Sequence, residues 1–265
     1  MVAMNDKVIV ITGASSGIGA ALAEVVVARG AKGVVLAARR PDELAAVAGK
    51  LGANALAVPT DVTQRAEIER LRDRAIAKFG HIDVWVGNAG RGITRNVTEL
   101  TDADLDDMIT TNVKSVLYGI QAVMPHFRER RAGHLITVSS MLGRIPMAPI
   151  RSAYSAAKAA VNSLMTSLRL ELKAEFPGIH VSTVMPGVVA TSFGANALHG
   201  GPDSRTLPSA QPVGEVAQAI ANLIERPRAE LYTRAELAQL ASRYFSAEDV
   251  ATVEAGPPFA MLPRR

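Results

Sequence analysis

Thr12-Gly13-Ala14-Ser15-Ser16-Gly17-Ile18-Gly19 decides how this chain is read. An apolar run at 8–11 leads into it, and a helical pattern opens behind it over 18–29. Gly13, Gly17 and Gly19 let the backbone turn tightly and come close to a phosphate, while the first helical turn offers unpaired N–H groups and a positive dipole end. Thr12, Ser15 and Ser16 add hydroxyl donors. A glycine-rich turn alone is a weak sign, because ordinary strand-to-helix turns also use glycine. The strand before it and the helix after it supply the context a dinucleotide-binding turn requires. Three residues separate Gly13 from Gly17, so the spacing departs from G-x-G-x-x-G.

Outward from this turn, short apolar runs alternate with longer helical patterns. The runs fall at 8–11, 33–38, 55–59, 82–86, 134–138 and 179–185, with a short seventh at 230–233. They are rich in Val and Ile and almost continuously apolar, as parallel strands covered on both faces are. Helical segments at 18–29, 64–79, 102–127 and 152–176 lie between them. Such alternation predicts an α/β fold with a doubly wound parallel sheet of about seven strands. No compositional break divides the chain, so residues 1–265 are expected to form one domain. The stretch 192–212 carries Gly, Pro and Ser with little periodicity and is expected to be a mobile substrate lid. The proline-rich tail at 256–265 is expected to be extended.

Composition narrows the function. With 48% hydrophobic residues among 265, the chain can bury a sizeable core. A net charge of +4, with scattered basic residues, argues against nucleic acid and suits small phosphorylated ligands. The absence of cysteine excludes disulfides and thiolate chemistry. The five histidines (His81, His126, His134, His180, His199) lack ligand spacing, so no metal site is expected. No run of 18 apolar residues is present, which points to a cytoplasmic protein without a membrane partner.

The spacing T-G-x-x-x-G-x-G resembles the short-chain dehydrogenase/reductase family, and further motifs follow in that family's order. Asn88-Ala89-Gly90 follows the fourth run, with Gly87 where a second asparagine is common. Asn112 lies in the long helical pattern, Ser139-Ser140 ends the fifth run, and Tyr154-Ser155-Ala156-Ala157-Lys158 matches Y-x-x-x-K. Pro186-Gly187 and Thr191 follow the sixth run. The resemblance covers residues 7 to about 191. It implies a Rossmann-like fold and hydride transfer between a nicotinamide cofactor and a carbonyl or secondary alcohol.

The residues themselves support that chemistry. Tyr154 and Lys158, four apart, share one helix face. A phenol titrates near ~10, and an ammonium held ~4 Å away contributes about 4 kcal/mol at an effective dielectric near 20, enough to bring it down by roughly three pH units. Tyr154 is therefore expected to be the general acid/base, with Lys158 lowering its pKa. Against this stands the plain alternative of a half-buried tyrosine and a surface lysine on an amphipathic helix. Ser140, 14 residues before Tyr154, is expected to bind the reacting oxygen. Met141 occupies the position 13 before, where the family usually has its serine, so one extra residue is inferred in the loop. Asn112 falls on the stripe Leu105, Met108 or Ile109, Asn112, Val116. There it either satisfies backbone groups at a helix distortion or, as the resemblance implies, holds a water that relays protons to the lysine.

Cofactor contacts are expected from Gly13, Ser15, Ser16, Gly17, Ile18 and Gly19, and from Tyr154 and Lys158. The resemblance adds Asp61 and Val62 near the adenine and Asn88, Ala89 and Gly90 along the ribose. It places Pro186, Gly187, Val189 and Thr191 at the nicotinamide. An N-cap role for Asp61 is equally good physics. Ala38 stands where NAD-selecting enzymes commonly carry an acid, and Arg39 and Arg40 follow, so NADP(H) is expected over NAD(H). Met141, Leu142, Ile145, Met147 and Phe193 are expected to line an apolar substrate crevice. The apolar helices at 102–127 and 152–176, which pair across a two-fold axis in the family, suggest a homodimer or homotetramer, to be checked by light scattering. The rival readings are a non-catalytic cofactor-binding scaffold or sensor, and an epimerase- or dehydratase-like relative.

Overall fold

The computed structural model describes residues 4–259. Seven parallel strands form one sheet: β1 (Val8–Thr12), β2 (Gly33–Ala38), β3 (Ala55–Pro59), β4 (Val84–Gly87), β5 (Gly133–Val138), β6 (Ile179–Met185) and β7 (Glu230–Tyr232). Their order is β3-β2-β1-β4-β5-β6-β7. The chain runs outward from β1 to β3, then returns to the other side of β1 with β4. The loops after β1 and β4 therefore diverge at the carboxyl ends of neighbouring strands, where open α/β sheets hold ligands.

Alternation along each strand divides the core into two layers. Ile9, Ile11, Val34, Leu36, Val86 and Ile136 face α1 (Gly17–Ala28), α2 (Pro41–Leu51) and α7 (Val213–Glu225). Val10, Val35, Trp85, Leu135 and Val181 face α3 (Arg65–Phe79), α5 (Ser115–Arg130) and α6 (Ser152–Leu172). Each fully buried side chain of this size contributes roughly 1.5–3 kcal/mol. Trp85 sits directly against α5, where a Cβ on Gly119 would lie 2.7 Å from its indole nitrogen.

Two expectations change here. The helical pattern at 102–127 is not one α-helix: α4 (Asp102–Met108) passes into a π-helical turn (Ile109–Lys114) before α5 begins. The extra residue in that turn shifts the register, so Leu105 is 44% exposed whereas Met108 and Asn112 are fully buried. The pattern at 152–176 ends at Leu172, and beyond β7 the chain adds α8 (Ala235–Ser246) and α9 (Val250–Glu254). Of the expected tail, Phe259 stacks on Tyr244, and residues 260–265 lie outside the described ones.

The stretch 192–212 is irregular apart from one 3-10 turn, Ser204–Thr206, and it is stitched to the body. Leu198 N donates to Gly92 O and Thr94 N to Leu198 O, at 2.8 and 2.9 Å. His199 pairs with the buried Asp104 at 2.6 Å. That contact, with the Thr101 backbone bond, holds the Asp104 carboxyl well below the usual carboxylate range.

One buried ring makes stability pH-dependent. His134 on β5 bonds Ser182 Oγ on β6 at 2.7 Å, and Ser182 donates its own proton to Arg228 O. The imidazole is thus the donor, a neutral Nε2–H. Burial first, then His180 and Lys7, push its pKa from 6.5 down to about 3. The unfolded chain takes up this proton first, so stability is whole above pH 6.5 and drains as pH falls toward 3. At roughly 1.4 kcal/mol per pH unit, moving to pH 5 costs about 2 kcal/mol from this ring. Urea denaturation at pH 7 and pH 5 should show a drop about 2 kcal/mol larger for the native protein than for His134→Gln. Equal drops would show that the ring does not titrate this way.

Candidate active site

The glycine turn adopts the geometry its sequence suggests. Gly13 and Gly17 have φ of +67° and +58°, a region that side chains disfavour. A Cβ on Gly19 would lie 2.5 Å from Gly13 O, so this position brings α1 against the turn. Ser16 caps α1 without a side-chain bond to it. The first N–H groups of α1 therefore keep room and partial charge for an anion.

Thr12 behaves differently from expectation. Its buried Oγ1 accepts from Asn88 N and Ala89 N at 3.0 and 3.1 Å, while Asn88 Nδ2 donates to Thr12 O and Gly13 O. Thr12 is a clamp between the β1 and β4 loops, not a phosphate donor, and the Asn88 side chain braces the turn. Asp61 Oδ1 accepts from Thr63 N and Oγ1, which closes a local turn; α3 begins later, behind Gln64. Val62 is buried behind this turn. Both arginines are exposed, and Arg40 Nη2 reaches Ser15 Oγ and Ser16 Oγ at 3.0 and 3.2 Å. Arg40 also pairs with Glu43 at 3.3 Å.

Across the crevice, β5 is followed by Ser139 and Ser140, whose side chains part. Ser139 Oγ donates to Lys158 O at 3.3 Å, a structural bond. Ser140 Oγ accepts from Leu142 N at 3.1 Å, which leaves its proton for another acceptor. The turn Met141–Gly143 then presses on α6: a Cβ on Gly143 would sit 2.7–2.8 Å from Lys158 backbone and side-chain atoms. Gly143 is a residue the motif reading missed, and only this close approach reveals it. Met141 and Ile145 turn away to pack with Leu237, Leu240 and Tyr244, so they do not line the crevice. Leu142 packs with Ile93, Met108 and Tyr154, and Phe193 lies 5.5 Å from the Tyr154 ring, centroid to centroid.

Tyr154 and Lys158 are both buried on one face of α6. Lys158 Nζ donates to Val138 O at 2.9 Å and stands 5.6 Å from the Tyr154 ring centroid. Burial governs both groups. It pushes the phenol up to about 12 against the opposing pull of Ser140 and Arg151, and it pushes the ammonium down to about 8. The lowering of the tyrosine expected from its lysine is therefore not found in the free protein: desolvation dominates, and the groups that oppose it are Ser140 and Arg151.

Asn112 joins this cluster through Gly90. A Cβ on Gly90 would lie 2.8 Å from Asn112 Oδ1 and 3.5 Å from Lys158 Nζ, so glycine keeps the three together. Asn112 also fills the structural role weighed for it: it accepts from Arg91 N and donates to Arg91 O and Met108 O. Beyond β6, Pro186 O accepts from Met141 N, Gly187 packs against Leu237, and Val189 bridges Gln211. Thr191 faces the glycine turn: its Cγ2 would be 3.3 Å from a Cβ on Gly17.

A doubly wound, Rossmann-like sheet with a glycine cradle at the switch point and a Ser–Tyr–Lys cluster beside it defines the class of protein. The short chain dehydrogenase family model matches residues 7–200, and the chain belongs to that oxidoreductase family. An uncharacterized oxidoreductase of Staphylococcus aureus (strain N315) is 38% identical over 196 residues, covering 74% of this chain and 83% of that protein. The crystal structure of a short chain dehydrogenase/reductase from Burkholderia phymatum in complex with NAD superposes with a TM-score of 0.84 at 26% identity, covering 91% and 94% of the two chains. A short chain dehydrogenase from Burkholderia cenocepacia J2315 in complex with NADP gives 0.81 at 26% identity over 96% and 98%. No helix among the described residues is long and apolar enough to cross a membrane.

Proposed function

We propose that this protein is an NADP(H)-dependent oxidoreductase acting on a carbonyl or secondary alcohol of a small molecule with an apolar body. The observation that carries this reading is the convergence of Ser140, Tyr154 and Lys158 at the carboxyl end of β5, across from the glycine turn. The residues fit a dinucleotide: the Gly13, Gly17 and Gly19 backbone and the open N-terminus of α1 suit its pyrophosphate, and Thr191 closes the opposite side. When bound, the nicotinamide supplies or accepts the hydride. Tyr154 holds the proton given to the reacting oxygen, and Ser140 donates a hydrogen bond to that oxygen. Lys158 holds a positive charge beside the phenol, and Asn112 keeps the Gly90 backbone against it. A screen of ketones and alcohols with cofactor absorbance as readout tests the reading. No turnover of any of them would favour a cofactor-binding scaffold instead.

The preference for NADP(H) rests on Arg40. Its reach to Ser15 and Ser16 places a guanidinium over the glycine turn, where paired, charge-assisted bonds to a 2′-phosphate can form. Such bonds, at ~1.5–3 kcal/mol, correspond to roughly a 10- to 150-fold preference in kcat/KM. Arg40→Ala should remove most of that preference, and Arg39→Ala should remove little. Equal use of both cofactors by the native protein would refute the assignment.

A further inference from the structure

Beside the Ser–Tyr–Lys cluster stands a charged side chain that the chemistry above leaves without a role. Arg151 lies three residues before Tyr154, at the N-cap position just ahead of α6. Its Nη1 donates to Ile93 O at 3.0 Å. The guanidinium lies close to two backbones: a Cβ on Gly92 would be 3.3 Å from Nη1, and one on Gly201 would be 3.0 Å from Nη2. Glycine at both positions leaves room for it. Phe193 connects this place to the reacting centre, because it lies against the Tyr154 ring and its Cε1 would be 3.0 Å from the same Gly92 Cβ.

The charge balance is unusual for this part of the molecule. Arg91, Arg95 and Arg144 on the neighbouring loops pair with Asp107, Asp104 and Glu230. Arg151 has no carboxylate within ion-pair distance among the described residues. It is half buried, and desolvation lowers its pKa. A partly desolvated cation without an anion is costly, and one bond donated to a carbonyl leaves most of its five donors for a partner from outside the chain.

We infer that Arg151 is a specificity-determining residue that binds a carboxylate on the substrate, so the substrate class is an oxo acid and its hydroxy acid rather than a neutral ketone and alcohol. This rests on the oxidoreductase reading above. Tyr154 then addresses the carbonyl oxygen, Phe193 covers the chain between, and Arg151 fixes the acidic end, which orients the carbonyl within reach of the phenol.

The test compares a homologous series of aliphatic oxo acids with their methyl esters, using native protein, Arg151→Met and Arg151→Lys. The native protein should favour at least one acid over its ester by about 10-fold or more in kcat/KM, as a charge-assisted, partly buried pair implies. Arg151→Met should bring that ratio to about one, and Arg151→Lys, a point charge without the fork, should retain part of it. A native ratio near one overturns the inference. So does a ratio that survives in Arg151→Met, including the case where acid and ester fall together because the arginine only ties the loops at Ile93 and Gly201. If the native protein turns over no carbonyl, the oxidoreductase reading fails on its own, and melting temperature then decides the inference. The acids, but not the esters, should raise it for native protein with NADP present and not for Arg151→Met; no such difference overturns it.

Discussion

Tyr154→Phe is expected to lower kcat for carbonyl reduction by about 10²–10⁴-fold while changing cofactor affinity only a few-fold. The ring stays in place against Phe193 and Leu142, so packing is kept and only the hydroxyl leaves. Burial holds the free protein's phenol up at about 12, which keeps it protonated across the neutral range. An acid that is already protonated serves reduction without a limiting titration. Alcohol oxidation needs the phenolate and should climb with pH, by as much as tenfold per unit where that ionisation limits the rate. The two directions should therefore diverge in their pH profiles, and the divergence should vanish in Tyr154→Phe. Near-normal kcat in that variant would show that another group moves the proton.

How far the sequence discloses this depends on what each residue must touch. Strands buried on both faces carry their own signal, so the runs at 33–38, 55–59 and 179–185 coincide with β2, β3 and β6. The cluster of Ser140, Tyr154 and Lys158 is legible because spacing along one strand end and one helix face fixes it. Features set by contact between distant segments are not legible in this way. Nothing local shows that Thr12 is consumed by the β4 loop, or that Arg40 and not Arg39 turns toward Ser15 and Ser16. The π-helical turn at Asn112 hides in an apparently continuous helical pattern, because one inserted residue changes the face without changing composition. The pKa of Tyr154 fails for a related reason. Spacing reveals the neighbouring charge, but burial, which dominates, is a property of the assembled core.

Lys158→Met is expected to cost activity while making the protein more stable, a pairing that separates a functional lysine from a structural one. Lys158 is 3% exposed, and the only hydrogen bond of its side chain within the described residues goes to Val138 O. Burial takes its pKa from 10.5 down to about 8. The folded pKa lies below the unfolded one, so the unfolded chain holds the proton more tightly. Stability tied to this group is therefore highest above pH 10.5, falls as pH drops toward 8, and stays low below that. At roughly 1.4 kcal/mol per pH unit the fall is on the order of 3 kcal/mol. An apolar side chain of similar length carries no such penalty, so at pH 7 the variant should unfold about 1–3 kcal/mol less readily, after loss of the Val138 bond is allowed for. For a protein of this size that is a rise in Tm of several degrees. Turnover should fall by about 10²-fold or more, because the buried ammonium beside the Tyr154 ring is lost and the phenol is left with the half-buried Arg151. Calorimetry and steady-state kinetics on the same preparation check both halves. A variant that loses stability with its activity would show that Lys158 holds the fold together, and one that keeps its activity would show that the phenol needs no buried cation.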